Sequence, residues 1–258
     1  MAIRLRDMRF GIELEFSSMM GDVERSVHPL INRFFGQGSL RIDWNGSNPQ
    51  KTYNVWRLKN DESTECELAS PISNLHDLGR IGKFIAACRK IAVTSYDGFH
   101  VHVGMRGITT ESQLVASWLL TENTLFKCFP PNRRSNNFCR HVDPRPRKRK
   151  KLVADVFESA IVQALAHEMA MSTSPCKTKG TVEFRLGEGT LDHHTVRNWV
   201  KFLLYFVRWS STMEMEYLLC RPVGWLDTVD GIVNELRIRD TAVRQWLEYR
   251  YSNYGVMQ

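Results

Sequence analysis

Residues 10–16 read FGIELEF, in which Phe10, Ile12, Leu14 and Phe16 alternate with Gly11, Glu13 and Glu15. Successive side chains of a strand point to opposite faces, so the pattern predicts a strand with one apolar face and one face carrying both glutamates. Five further segments have the same character: SLRIDW (39–44), YNVWRLK (53–59), ECELAS (65–70), FHVHVGM (99–105) and TVEFRL (181–186). Each is expected to be a strand half-buried on one face.

Polar residues two apart recur on four of these strands: Glu13 and Glu15, Glu65 and Glu67, His100 and His102, and Glu183 and Arg185. A single Glu-x-Glu pair on a strand is commonly a solvated outer face. Recurrence on four strands, each with a mostly apolar opposite face, raises the functional reading above that alternative. If the faces converge, the carboxylates repel one another and lose water, and bound cations relieve both penalties. Carboxylates with an imidazole suit Mg²⁺ or Mn²⁺, hard ions that bridge nucleotide phosphates, and so point to phosphoryl chemistry rather than zinc hydrolysis.

Helical spacing is expected over 75–91 after Asn74, over 111–128 behind a Thr110/Gln113 capping box, over 152–166, over 195–219 after Asp192, and over 225–236 and 241–249. The Pro-, Asn- and Arg-rich stretch 130–151 reads as a long basic loop, a candidate lid over substrate or phosphate.

The 258 residues, 43% hydrophobic and 24% charged, are enough for a core of ordinary size and are expected to form one domain, with 220–258 as a helical C-terminal extension. No run approaches the roughly 20 apolar residues of a membrane span, and the N-terminus lacks a secretory h-region, so a cytoplasmic protein without membrane contact is expected. Six scattered cysteines without a C-x-x-C pair predict reduced thiols and no zinc site. A net charge of +7 favours an anionic partner, and the run RPRKRKK from Arg145 to Lys151 offers a contact for nucleic acid or another polyanion.

Together, FGIELEF, WRLKNDES (56–63), ELASP (67–71), GFHVHVGM (98–105), RSNNFC (134–139) and TVEFRLGEGTLDHHTVRNWVKF (181–202) resemble the amidoligase family of the glutamine-synthetase-like carboxylate–amine ligase superfamily. The resemblance runs from Phe10 to about Phe206. It implies an α+β fold: a curved antiparallel sheet of the glutamine synthetase catalytic-domain type, flanked by helices. It also implies an ATP-dependent ligase in which two divalent ions, Mg²⁺ or Mn²⁺, shield the γ-phosphate. A substrate carboxylate takes that phosphate, and the acyl-phosphate then reacts with an amine on an amino acid, peptide or modified polymer.

Carried over residue by residue, Glu13, Glu15, Glu67, His100 and Glu183 resemble metal ligands, with Glu65 a weaker candidate. His102 resembles a nucleotide contact and Arg185 the arginine that steadies transferring phosphate. Lys59, Asp61 and Ser63 resemble a substrate- or nucleotide-facing motif, and Arg134, Asn137 and Cys139 the family's R-x-x-N-aromatic-C loop, with Phe138 in the aromatic slot. Cys139 is expected to be structural rather than a nucleophile. Two departures stand out: Glu62 replaces the glycine of a D-G-S turn, and HEMAMSTSPC (167–176) lacks the family's tyrosine- and asparagine-containing strand. The competing readings are a guanidine-type phosphotransferase of the same superfold, a basic nucleic-acid-binding protein, and an inactive ligase scaffold.

Overall fold

The computed structural model describes residues 3–16, 20–43, 54–60, 66–90, 98–134, 136–142, 164, 166, 168–221 and 226–255. Its elements are mixed α+β, and they divide into two compact units: Arg6–Val101 with Gly187–Val200, and Met1–Leu5 with His102–Leu186 and Lys201–Gln258. The expected helix 152–166 and the basic run Arg145–Lys151 lie outside the described residues, apart from Ala164 and Ala166. Among the described residues no helix is long and apolar enough to cross a membrane.

In the first unit the strands are β1 (Phe10–Phe16), β2 (Leu40–Asp43), β3 (Trp56–Lys59), β4 (Cys66–Ala69) and the start of β5 (Gly98–Gly104), in the order β2-β3-β4-β1-β5. β1 pairs antiparallel with β4, which pairs antiparallel with β3. β2 pairs with β3 in parallel, so the expectation of an antiparallel sheet fails at this edge.

The register sorts the two faces into rows. Leu14, Leu68, Leu58 and Ile42 stand opposite one another in turn, and the row beside them holds Glu15, Glu67, Lys59 and Asp43. The apolar face is packed by helices α1 (Met20–Phe35) and α2 (Leu78–Cys88), whose Phe35 and Phe84 lie with ring centroids 5.3 and 4.8 Å from that of the fully buried Trp56. The polar face is buried too: β1 and β4 are covered on both sides, which corrects the expectation of half-buried strands.

The expected helix boundaries move for local reasons. The α1 segment, not anticipated as a helix, contains Pro29, yet Val23, Val27 and Ile31 form a buried stripe at spacing of four. Its chain leaves through Gly36, in the left-handed region at φ +95°. α2 starts a turn later than expected because the Asn74 side chain accepts from the His76 N–H at 2.9 Å and holds the preceding segment in a turn.

The second unit holds the rest of β5, β6 (Met171–Ser172) and most of β7 (Thr181–Glu188), in the order β5-β7-β6. β6 falls within 167–176, the segment without the family's tyrosine and asparagine pattern, and pairs antiparallel with β7, Met171 opposite Phe184 and Ser172 opposite Glu183. Helix α3 (Glu111–Lys127) carries the expected Thr110/Gln113 box and is buried almost all round, with Trp118 against Phe184 and Phe206.

Downstream come α4 (Pro131–Arg134), α5 (Pro175–Thr178), α6 (His193–Ser210), α7 (Met215–Leu219), α8 (Val229–Glu235) and α9 (Thr241–Tyr254). The single helix expected over 195–219 is therefore two. Ser210, Ser211 and Thr212 turn their hydroxyls back onto the carbonyls of Phe206, Arg208 and Trp209, which ends α6. α8 is shorter than the helix expected over 225–236, and α9 runs past residue 249 to Tyr254.

The end of α3 is held by α9. Arg250 donates from Nε to the Cys128 carbonyl at 2.7 Å, and its guanidinium lies over the rings of Phe129, Trp246 and Tyr254 at 4.8, 5.3 and 5.1 Å.

Trp56→Ala should destabilise the protein by about 3–5 kcal/mol, because the cavity left between Phe35 and Phe84 cannot close fully. Urea denaturation followed by far-UV circular dichroism measures the loss.

Candidate functional site

On the polar face of the first unit, β1 and β5 bring two carboxylates to one imidazole, and β4 adds a third carboxylate to the same face. Glu13, Glu15, Glu67 and His100 are 8%, 5%, 2% and 3% exposed, so none is a solvated surface group. His100 Nδ1 lies 3.7 Å from Glu13 Oε2, and His100 Nε2 lies 3.3 Å from Glu15 Oε1. Glu67 stands directly opposite Glu15 across the antiparallel pair.

Gly98 makes the approach sterically feasible. Its N–H donates to the Glu15 carboxylate, and a Cβ at this position would lie 2.6 Å from His100 Nε2 and 2.7 Å from Glu15 Oε2. Any larger residue at the start of β5 would have to displace the His100 ring or the Glu15 carboxylate.

Lys59, opposite Glu67 in register, holds it at 2.8 Å. Burial acts to lower the Lys59 pKa, but attraction to Glu67 and Glu13 outweighs it, and the ammonium is held above its ordinary value. One lysine and one imidazole beside three buried carboxylates leave the group rich in negative charge, and a hard divalent cation fits such an oxygen-dominated donor set.

In the second unit His102 is buried, with Nδ1 3.3 Å from Thr181 Oγ1. Alternation along β5 sets it on the same face of the strand as His100. On β7, Arg185 Nη1 donates to Glu183 Oε1 at 2.7 Å, and both residues are nearly inaccessible. Arg185 is fixed from two more directions: its Nε donates to the Phe138 carbonyl at 3.2 Å, and its own carbonyl accepts from Arg133 Nη2 at 2.6 Å.

Arg133, not Arg134, is thus the arginine that meets Arg185. It is 2% exposed and carried no signal in the sequence, because neither strand spacing nor the R-x-x-N pattern selects it. The Arg134 guanidinium donates to the carbonyls of Phe126, Lys127, Phe129 and Tyr254, which makes it a cap on the end of α3. Cys139 is buried and donates from Sγ to the Arg133 carbonyl at 2.8 Å. Burial pushes its thiol up despite the opposing pull of Arg133 and Arg185, which fits a structural cysteine. Asn137 is exposed, whereas Asp61, Ser63 and Glu65 lie outside the described residues.

A family model described as "Putative amidoligase enzyme" matches residues 6–207. The chain belongs to the amidoligase family. The matched span includes the whole polar face of the first unit and the Arg133–Cys139 segment, and it stops before α7, α8 and α9, which the amidoligase carries in addition. No curated protein matches the chain in a sequence search.

The raised Lys59 pKa fixes a sign. The contribution of this pair to stability is fully present below the ordinary lysine value of 10.5 and is lost as pH rises through the higher folded value. Lys59→Met should therefore be less stable than the wild type at neutral pH, with the gap narrowing above about pH 10.5. Urea titrations from pH 7 to 12 test this.

Proposed function

We propose that this amidoligase is an ATP-dependent carboxylate–amine ligase on a fold of the glutamine synthetase type. The observation that carries the reading is the gathering of Glu13, Glu15, Glu67 and His100, three buried carboxylates and an imidazole, on one sheet face. These residues would hold divalent cations, and the family resemblance adds Glu183 to the set. Bound there, Mg²⁺ or Mn²⁺ would neutralise the triphosphate of ATP; a substrate carboxylate would take the γ-phosphoryl group, leaving ADP, and the acyl group would then pass to an amine as inorganic phosphate and a proton leave.

The chain's own residues supply the remaining parts. Lys59 balances Glu67 and keeps that carboxylate oriented on β4. Arg185 presents a planar guanidinium to phosphate, a role for which arginine is better shaped than lysine. Its position is over-determined by Glu183, Phe138 and Arg133, so little reorganisation is needed when charge develops on the transferred group. His102, Asp61 and Ser63 are assigned to nucleotide and substrate contacts on the resemblance alone. Six free cysteines agree with a reaction carried out in the reducing cytoplasm.

Glu13→Gln should lower metal-dependent ADP release by at least about a hundredfold while leaving the circular dichroism spectrum unchanged, as expected for removal of a group acting in transition-state stabilisation. A Glu13→Gln protein with full turnover would falsify the assignment. Product analysis separates the reactions: an amide formed with ADP and phosphate marks a ligase, and a phosphorylated guanidine with ADP marks a phosphotransferase.

A further inference from the structure

Glu122 stands within α3, fully enclosed and apart from the acidic face of the first unit. Burying a carboxylate is unfavourable unless donors and cations compensate it, so its contacts show what it holds. Oε1 accepts from the Trp118 indole Nε1–H at 2.8 Å and from the Val142 backbone N–H at 2.7 Å. Oε2 lies 3.6 Å from His141 Nδ1, and the His141 ring is stacked on that of Phe126 with centroids 3.5 Å apart. One carboxylate thus ties residues 141 and 142 to the side of α3.

The same segment holds Arg185 at its other end. The Phe138 carbonyl accepts from Arg185 Nε at 3.2 Å, and the Cys139 thiol donates to the carbonyl of Arg133, whose Nη2 donates to the Arg185 carbonyl. Between the two ends, Arg140 donates from its backbone to the Glu168 carbonyl and accepts from the Ala170 N–H, both at 2.8 Å. The Ala170 carbonyl in turn accepts from the Arg185 N–H at 2.8 Å. Each of residues 138 to 142 is therefore fastened, and a displacement at Val142 is passed along to Phe138 rather than absorbed. A second route runs through Trp118. Glu122 fixes its indole nitrogen, and its ring lies 5.6 Å from that of Phe184, the residue before Arg185 on β7.

We propose that Glu122 is a positioning residue for Arg185. Its carboxylate sets the place of the guanidinium through Val142 on one side and Trp118 on the other. The reach of the side chain decides the effect more than its charge does, because a single oxygen receives both N–H groups. The phosphate-steadying role of Arg185 rests on the ligase reading, whereas the placement of its side chain is measurable without turnover.

The test uses the full chain labelled with ¹⁵N-arginine, in which the Arg185 Nε–H signal is assigned by its loss in Arg185→Lys. Glu122→Asp keeps the charge but withdraws the oxygens by one methylene, and Glu122→Gln keeps the length and an acceptor oxygen. The aspartate variant should shift the Arg185 Nε–H signal and speed its exchange with water at least about tenfold, because its bond to the Phe138 carbonyl loosens. It should also lower kcat for metal-dependent ADP release at least about tenfold, with KM for ATP changed less than about threefold. The glutamine variant should stay within about threefold of the wild type in exchange rate, kcat and KM. An Arg185 signal unchanged in folded Glu122→Asp overturns the proposal, and so does a glutamine variant as impaired as the aspartate one. If circular dichroism shows Glu122→Asp unfolded, Trp118→Phe, which removes one of the two donors, takes its place under the same criteria. A wild type without ADP release rejects the ligase reading, and the Arg185 signal then decides the positioning by itself. A displaced signal with undiminished kcat rejects the positioning role and spares the ligase reading.

Discussion

Crowding three carboxylates onto one buried sheet face is the constraint from which the rest of the first unit follows. The group stays in place because the reverse face is wholly apolar and covered by α1 and α2, so the register of β1, β3 and β4 has one acceptable setting. Shifting a strand by one residue would send Leu14 or Leu58 to the acidic side and a glutamate or lysine into the aromatic cluster around Trp56. The packing energy of Trp56, Phe35 and Phe84 therefore fixes the spacing between Glu15 and Glu67. Gly98 then completes the enclosure by letting β5 approach closely enough for its own backbone to donate to Glu15.

Much of this was legible in the sequence because a strand advertises its faces with a period of two. FGIELEF, ECELAS and FHVHVGM each separate polar from apolar residues, and the structure puts Glu13, Glu15, Glu67 and His100 on a common face. The α3 capping box was equally readable, since it depends only on residues three apart. Features set by long-range contacts were not. The parallel pairing of β2 with β3 depends on how the intervening chain returns, and burial of the polar face depends on neighbours far away in sequence.

Local chemistry also misled at particular places. Pro29 reads as a helix breaker, yet the buried stripe of Val23, Val27 and Ile31 sustains α1 around it. A single helix is expected across 195–219, but three consecutive hydroxyls at 210–212 compete for the backbone and stop α6 there. Adjacent arginines at 133 and 134 are indistinguishable as letters. Burial separates them, one fastening Arg185 from below and the other closing the end of α3.

That closure reaches beyond the region by which the family is recognised. Arg250 and the Tyr254 carbonyl belong to α9, some forty residues past the last matched position, yet they complete the hydrogen bonding at the end of α3, whose Trp118 packs on the strand bearing Arg185. A fragment trimmed to the recognisable homology would uncover the Phe129 ring and take from the Cys128 carbonyl the donor that Arg250 supplies. The span by which the family is recognised is thus smaller than the scaffold this chain builds, and the tail is part of that scaffold.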